Sequence, residues 1–380
     1  MLAALALLIA GTAISLFKLW PQGPIPRPKA LVVQSSQGAT VDRVADKPCK
    51  TSPTGTCRIV TAKIRDGRNK GAHTSFQVYP TAGLSGVKAG DAIRIIRNPP
   101  PPQGATIKLP AYSFSDFDRR GPMLWLGIGF VVLLLASGRL HGLRALVGLV
   151  ASIWLVLKFV IPSILEGHSG VAVALTGSLA VLLITIPLCY GIRAKAISAW
   201  LGTALSLFLA VALASAFTHL AHLTGAASEE ATLLSASDSK ISLQGLLLGG
   251  MVIGALGVLI DLTVSQASTV IALRRANPTL RFKGLFGGAL EVGHDHIAAT
   301  VNTLVFAYAG ASLPVLLIFS IGGTSFADAL NSEAVAGEVI AALVGSIGLI
   351  ASMPITTALA ALLATRMSDR QLALEHTHAH

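Results

Sequence analysis

The sequence predicts an α-helical polytopic membrane protein of about eight spans, with a small β-rich domain inserted after the first span. Three observations predict it. Of 380 residues, 53% are hydrophobic and only 12% charged, at a mean hydropathy of +0.69; a soluble domain carries roughly 25% charged residues. The apolar residues fall in runs of about twenty or more, enough to cross a ~30 Å hydrocarbon core as helix. The alternating ten-residue segments of a membrane barrel do not occur in them. Residues 21–120 break this pattern, with prolines at 21, 24, 26, 28 and 99–102 bracketing short β-favouring stretches.

Residues 1–20 form the first apolar run. No positive charge precedes it and no small-residue cleavage site follows it. It therefore reads as an uncleaved anchor ending at Lys18 and Trp20 rather than a signal peptide. Within 21–120 the β-favouring stretches are 30–34, 58–63, 75–79 and 92–97, separated by Gly, Asp and Asn turns. Such spacing suggests an OB-like barrel or a sandwich. Residues 121–366 form the membrane domain, with seven spans near 121–138, 143–165, 170–191, 196–220, 243–273, 294–320 and 335–365. Residues 367–380 are a tail.

Lys and Arg in short loops set orientation. Arg139 and Arg144, Arg193 and Lys195, Arg274 to Lys283, and Arg366 and Arg370 lie in every second loop. The alternate loops carry Glu166, then Glu229, Glu230 and Asp238, then Asp328 and Glu333. The basic set is therefore cytoplasmic, both termini are cytoplasmic, and residues 21–120 lie outside. The net charge of +11 is concentrated in that outer domain, which holds 16 Lys/Arg against 6 Asp/Glu. No phosphate loop, zinc finger or stacking-aromatic motif accompanies the charge, which excludes a nucleic-acid partner. Cys49 and Cys57 are close enough in sequence to form a disulfide if this domain faces an oxidising compartment. Cys189, in an apolar run, reads as an inert packed thiol.

Ionisable residues at membrane depth are costly, so they are the first functional candidates. Asp261 lies about 20 Å along the helix axis from Arg274. Ser265 and Ser268 follow at i+4 and i+7 on the same face. A carboxylate flanked by hydroxyls can bind a cation, carry a proton, or simply bond a neighbouring helix. Glu291, Asp295 and Asn302 fall within about 40° of one another on the next helix. Gly287, Gly288 and Gly293 permit a broken or re-entrant helix there. His294, Asp295 and His296 resemble metal ligands, but residues two apart diverge on a helix, so no metal site is expected. His219 and His222 share a face near Glu229 and Glu230 and read as headgroup-level residues. Lys158 either snorkels or pairs with a carboxylate. No nucleophile elbow, nucleotide loop, zincin or dinucleotide fingerprint occurs, so neither an enzyme nor a bound cofactor is expected.

LIDLTVSQASTVIAL (259–273), the NP at 277–278 and GHDHIAATVNTLVFAYAGASLP (293–314) together resemble the bacterial YibE/F family of integral membrane proteins. FSDFDRR (114–120) and IPSILEG (161–167) fit as well, so the resemblance covers roughly residues 110–366. It implies a multi-spanning protein of the bacterial cytoplasmic membrane, with transport the suggested role. Position by position it points to Asp261, Ser265, Asn277, Gly293, Asp295, Thr300, Asn302, Thr303 and Gly310. His294 departs from the arginine of many relatives, which weakens anion binding there.

The leading expectation is a transporter or permease in which Asp261, Asp295 and Asn302 meet, one carboxylate taking a proton or coupling cation. Thr303 and neighbouring hydroxyls would orient the solute. The basic outer domain would gather an anionic small molecule, headgroup or envelope polymer. The alternative is an envelope sensor or assembly scaffold, with a second copy or another membrane protein as partner. An intramembrane lipid-modifying enzyme, with Asp261 and Asp295 as acid and base, has no nucleophile motif behind it.

Overall fold

Along strands of the inserted region, inward aliphatic residues alternate with outward polar ones, as a half-buried sheet requires. Val60, Ala62 and Ile64 point inward on one strand, Ile93 and Ile95 on another. The computed structural model describes residues 1–23, 36–48, 56–67, 69–78, 86–98, 110–237 and 241–367. It divides into two units, residues 30–136 and the remainder.

The first unit carries an antiparallel sheet of β1 (Gln37–Pro48), β2 (Thr56–Ile64), β3 (His73–Val78), β4 (Ala92–Arg97) and β5 (Tyr112–Phe117), ordered β3-β2-β1-β4-β5. The central β1 pairs with β2 along most of its length and with β4 through its first residues. A register shift between Val41 and Arg43 bends it. The sheet curls into a half-barrel, bringing the edge strands β3 and β5 into contact. Ala39, Val60, Phe76, Ile93, Ile95 and Tyr112 belong to its core.

The predicted strands at 58–63, 75–79 and 92–97 correspond to β2, β3 and β4, whereas 30–34 lies outside the described residues. β1 and β5 were not expected. In β1, Gly38 and the Asp42–Arg43 pair interrupt the alternation, and the latter is the bulge. In β5 only Tyr112 is buried, so an edge strand reads as polar sequence. Cys57 is buried and disulfide-bonded; Cys49 lies outside the described residues.

The second unit is helical. It holds α1 (Leu2–Leu19), most of the second half of α2 (Arg120–Leu155), a π-helical turn (Val156–Val160) and α3 (Ile161–Leu165). Then come α4 (Gly170–Tyr190), α5 (Ala194–Leu220), α6 (Glu229–Ser237), α7 (Leu243–Ala276), α8 (Phe282–Ile321), α9 (Phe326–Asn331) and α10 (Glu333–Ala364). Among the described residues, seven helices are long and apolar enough to cross a membrane, against the eight expected. The difference lies in Arg120–Leu165, which is one helical stretch interrupted at Arg139, where φ 44° and ψ −120° are not helical. That interruption falls at the expected boundary between the second and third spans.

α5, α7 and α10 pack against one another, α4 lies on α7, and α8 rests on α10 and α7. Glycines let these helices approach closely. A Cβ on Gly170 would run into the Gly245 carbonyl of α7, and one on Gly202 would run into Thr356 of α10. α7 and α8 are both unbroken, so the break that Gly287, Gly288 and Gly293 would permit does not occur. Each helical glycine costs about 1 kcal/mol against alanine, but Leu285 and Ala289 bury completely beside them and hold the helix.

The connections sort by charge. At one end Gln22 and Gly23 donate backbone N–H bonds to Glu166 (3.1 and 2.7 Å), and Thr224 and Gly225 donate theirs to Glu333 (both 2.6 Å). The opposite ends of α4, α5, α7, α8 and α10 carry Arg193, Lys195, Arg274, Arg275, Arg281, Lys283 and Arg366. There Arg274 closes the α7–α8 turn by donating to the Leu280 carbonyl (2.6 Å). These are called the acidic and basic ends below.

Gly170→Ala should lower the melting temperature and the yield of folded protein, because backbone must move to admit the methyl group. Gly310→Ala, where nothing lies within 4 Å, should be neutral or slightly stabilising. Thermal unfolding of the detergent-purified variants by circular dichroism checks both.

Candidate functional site

The site starts from one face of α7. Gly250, Gly254, Gly257 and Asp261 follow one another at i, i+4, i+7 and i+11. All four are exposed. A Cβ on Gly250 or Gly257 would meet nothing within 4 Å, and one on Gly254 would lie 3.1 Å from the Tyr308 hydroxyl of α8. Three missing side chains thus leave a bare strip of α7, approached at Gly254 by the Tyr308 hydroxyl, that ends at a carboxylate.

Asp261 sits roughly 20–27 Å from either end of its helix at 1.5 Å per residue. Its side chain is 68% exposed, and its Oδ2 lies 3.6 Å from Nε2 of His296 on α8, itself 33% exposed. Tyr190, at the C-terminal end of α4, is within electrostatic range of the same carboxylate. The pair becomes an ion pair when the imidazole is protonated. It combines two groups that exchange protons at a helix–helix seam, open on one side.

The expected meeting of Asp261 with Asp295 and Asn302 is not what the fold builds. Gly293 faces inward, so close to α7 and α10 that an added Cβ would strike Gln266 and lie 2.5 Å from the Met353 sulfur. Three residues further, at 300°, His296 turns toward the same side; Asp295, at 200°, turns away. Glu291, Asp295 and Asn302 do share a face, but it is the exposed face of α8. His294 is exposed too. The inward phase was readable from Gly293, had the glycine been taken as a crossing point rather than a hinge.

The predicted hydroxyls bond to their own helices. Ser268 donates to the Val264 carbonyl (2.6 Å), Thr300 to that of His296 (2.7 Å) and Thr303 to that of Ala299 (3.0 Å). Ser265 is half-buried one turn below Asp261, and its carbonyl accepts from Thr269 (3.0 Å). Asn277 caps α7 and accepts from the Thr279 N–H (3.1 Å) and hydroxyl (2.5 Å), a turn-forming role. Gly310 meets nothing within 4 Å, so its expected packing role is not seen.

Lys158 lies exposed in the π-helical turn, and His219 and His222 are exposed. Among the described residues no group of three His, Cys, Asp or Glu could hold a metal ion.

Two buried polar contacts behind the site escaped the sequence reading. Gln266 is 2% exposed and donates to the Ala289 carbonyl of α8 (3.1 Å). Thr203 of α5 and Thr263 of α7 bond hydroxyl to hydroxyl at 2.6 Å, fully buried. Bonds of this kind contribute about 0.5–1.5 kcal/mol each, and they fix α7 between α5 and α8. Thr263 and Gln266 lie on the side of α7 opposite Asp261, a polar composition unusual enough for an apolar helix to have drawn notice.

The pairing is testable by cross-linking. In a Cys189→Ala background, Asp261→Cys with His296→Cys should join under mild oxidation or a short bifunctional maleimide. Asp261→Cys with Asp295→Cys should not. Electrophoretic mobility after cleavage between α7 and α8 reads the result.

No curated protein and no solved structure matches the sequence. The family described as YibE/F-like protein matches residues 126–366, which takes in every residue of the α7–α8 site. The chain belongs to the YibE/F-like protein family.

Proposed function

We propose that the protein is a transporter or permease of the bacterial cytoplasmic membrane, and that Asp261 with His296 is its proton- or cation-binding pair. The observation that carries this reading is the carboxylate–imidazole pair at 3.6 Å, near the middle of a 34-residue apolar helix. A carboxylate at such depth is expensive unless it is paired or wetted. The glycine face beside Asp261 supplies room for water or solute. A proton or cation entering along that face would be held between carboxylate and imidazole and released as the helices part. The continuity of α7 and α8 favours movement of whole helices over the discontinuous-helix arrangement of some transporters.

The charge sorting of the connections supports an orientation with the basic end cytoplasmic. The chain leaves α1 at the acidic end, so the curled sheet belongs outside. Its strand order, with β3 beside β5, matches the cyclic order of an OB-like barrel. Its net positive charge suits anionic headgroups or envelope polymers.

A second reading, assembly with another membrane chain, is favoured by the exposed face of α8. Glu291, Asp295 and Asn302 lie on it. In a bilayer such a face calls for polar cover, which a second copy or another protein would provide.

Proton flux into liposomes containing the purified protein tests the first reading. Wild type should acidify the lumen down an imposed gradient faster than empty liposomes. Asp261→Asn and His296→Gln should lower that rate at least tenfold while keeping a monodisperse elution profile, and Asp295→Asn should retain it. Equal rates in all four proteins would overturn the assignment.

A further inference from the structure

At the acidic end, residues of α6, α7, α8 and α10 line an open-sided cavity of about 390 Å3. That volume lies within the range of small-molecule sites, roughly 300–1,000 Å3. Its wall is largely aliphatic, with Leu246 and Met251 from α7. Into it come two carboxylates, Glu338 from the first turns of α10 and Glu230 from α6, and the phenol of Tyr308 from α8. Gly250 and Gly337 line it without side chains, which is how α7 and α10 leave the space.

Among the described residues the charged side chains lining it have one sign: Glu230 and Glu338 are there, and no Lys, Arg or His is. Glu338 is half-buried, and among the described residues it has neither a hydrogen-bond nor an ion-pair partner. Tyr308 is close enough to feel its charge. A half-buried carboxylate with no cation of its own draws one from outside.

The lining decides which kind. The polar groups are two carboxylates, a phenol and the Ser228 hydroxyl, which already accepts from the Ala231 N–H (3.1 Å), and they stand among hydrocarbon rather than in the oxygen cage of a hard divalent ion. An ammonium group with an apolar body fits each part: the carboxylates meet its charge, the Tyr308 ring its cationic face, the aliphatic wall its carbon. An ammonium over an aromatic ring gains about 0.5–2 kcal/mol, more as water is excluded.

We infer that this cavity binds an organic cation, with the ammonium group between Glu338 and Tyr308 and the alkyl portion against Leu246 and Met251. Gly250 belongs both to this cavity and to the open face of α7 that leads, roughly 16 Å further along the helix, to Asp261. As the mouth of a transport route the cavity rests on the transport reading; as a binding site it does not.

Isothermal titration of the full-length protein in nanodiscs with tetrapropylammonium chloride tests the inference, at constant ionic strength. Wild type should give saturable binding, weakened at least tenfold in Glu338→Gln and several-fold in Tyr308→Leu, with Tyr308→Phe near wild type. Gly250→Leu fills the cavity from a position with open space around it, so it should abolish binding in a protein that still folds. Asp295→Asn, on the exposed face of α8, should bind as wild type does. Absent saturable binding to wild type, or unchanged affinity in both Glu338→Gln and Gly250→Leu, would overturn the site. Binding without proton flux would overturn the transport reading alone, and flux without binding the cation site alone.

Discussion

The helical unit depends on how near its helices can come to one another. Between apolar helices, close packing rests on dispersion contacts and hydrogen bonds that need short interaxial distances. Gly170 against Gly245, Gly202 against Thr356 and Gly293 against Gln266 and Met353 are the places where backbones come close enough. Those approaches hold α7 among α4, α5, α8 and α10. The polar bonds that specify register, Thr203 to Thr263 and Gln266 to Ala289, lie beside them. A packed surface of leucines would hold the helices together without choosing a rotation for α7. Two hydrogen bonds in a site with no competing water do choose one.

That rotation has a chemical consequence. With Thr263 and Gln266 turned inward, Asp261 is left on the open side of α7 along with Gly250, Gly254 and Gly257. The close crossing at Gly293 then turns His296 toward it. The carboxylate–imidazole pair and the bare glycine strip are therefore products of one packing solution. The same solution sends Glu291 and Asp295 outward, separating two sets of acidic residues that lie only a few turns apart. Asp261 has a partner within the chain, and Glu291 and Asp295 are exposed.

The inserted sheet follows different rules. Water surrounds its strands, so its core forms from alternating aliphatic residues, and its charges pair at the surface, as in Arg58–Asp46 at 2.9 Å and Arg94–Asp66 at 3.3 Å. Exposed pairs of this sort contribute at most about 1 kcal/mol, and Lys and Arg outnumber Asp and Glu over residues 21–120. The chain thus presents a basic sheet and, at the acidic end of its helices, a cavity with two carboxylates. Those two surfaces attract opposite charges.

The sequence by itself determined the helices, their order, the charge sorting of their connections, the inserted sheet and the family, because hydropathy, proline placement and a contiguous motif are local properties. It singled out Asp261 for the same reason, since a lone carboxylate in an apolar run is conspicuous without any partner. Local pattern left a choice where a glycine has two uses: Gly287 and Gly288 permit a break, and flanking buried residues keep α8 whole. It also missed β1 and β5, whose alternation a bulge and an exposed edge conceal. Only the tertiary structure decided that His296 rather than Asp295 meets Asp261, and that Glu338 and Tyr308 share a cavity. Both depend on the rotation of one helix about its axis. A change of 100° per residue is trivial in sequence, and only the neighbours packed against a helix set its phase.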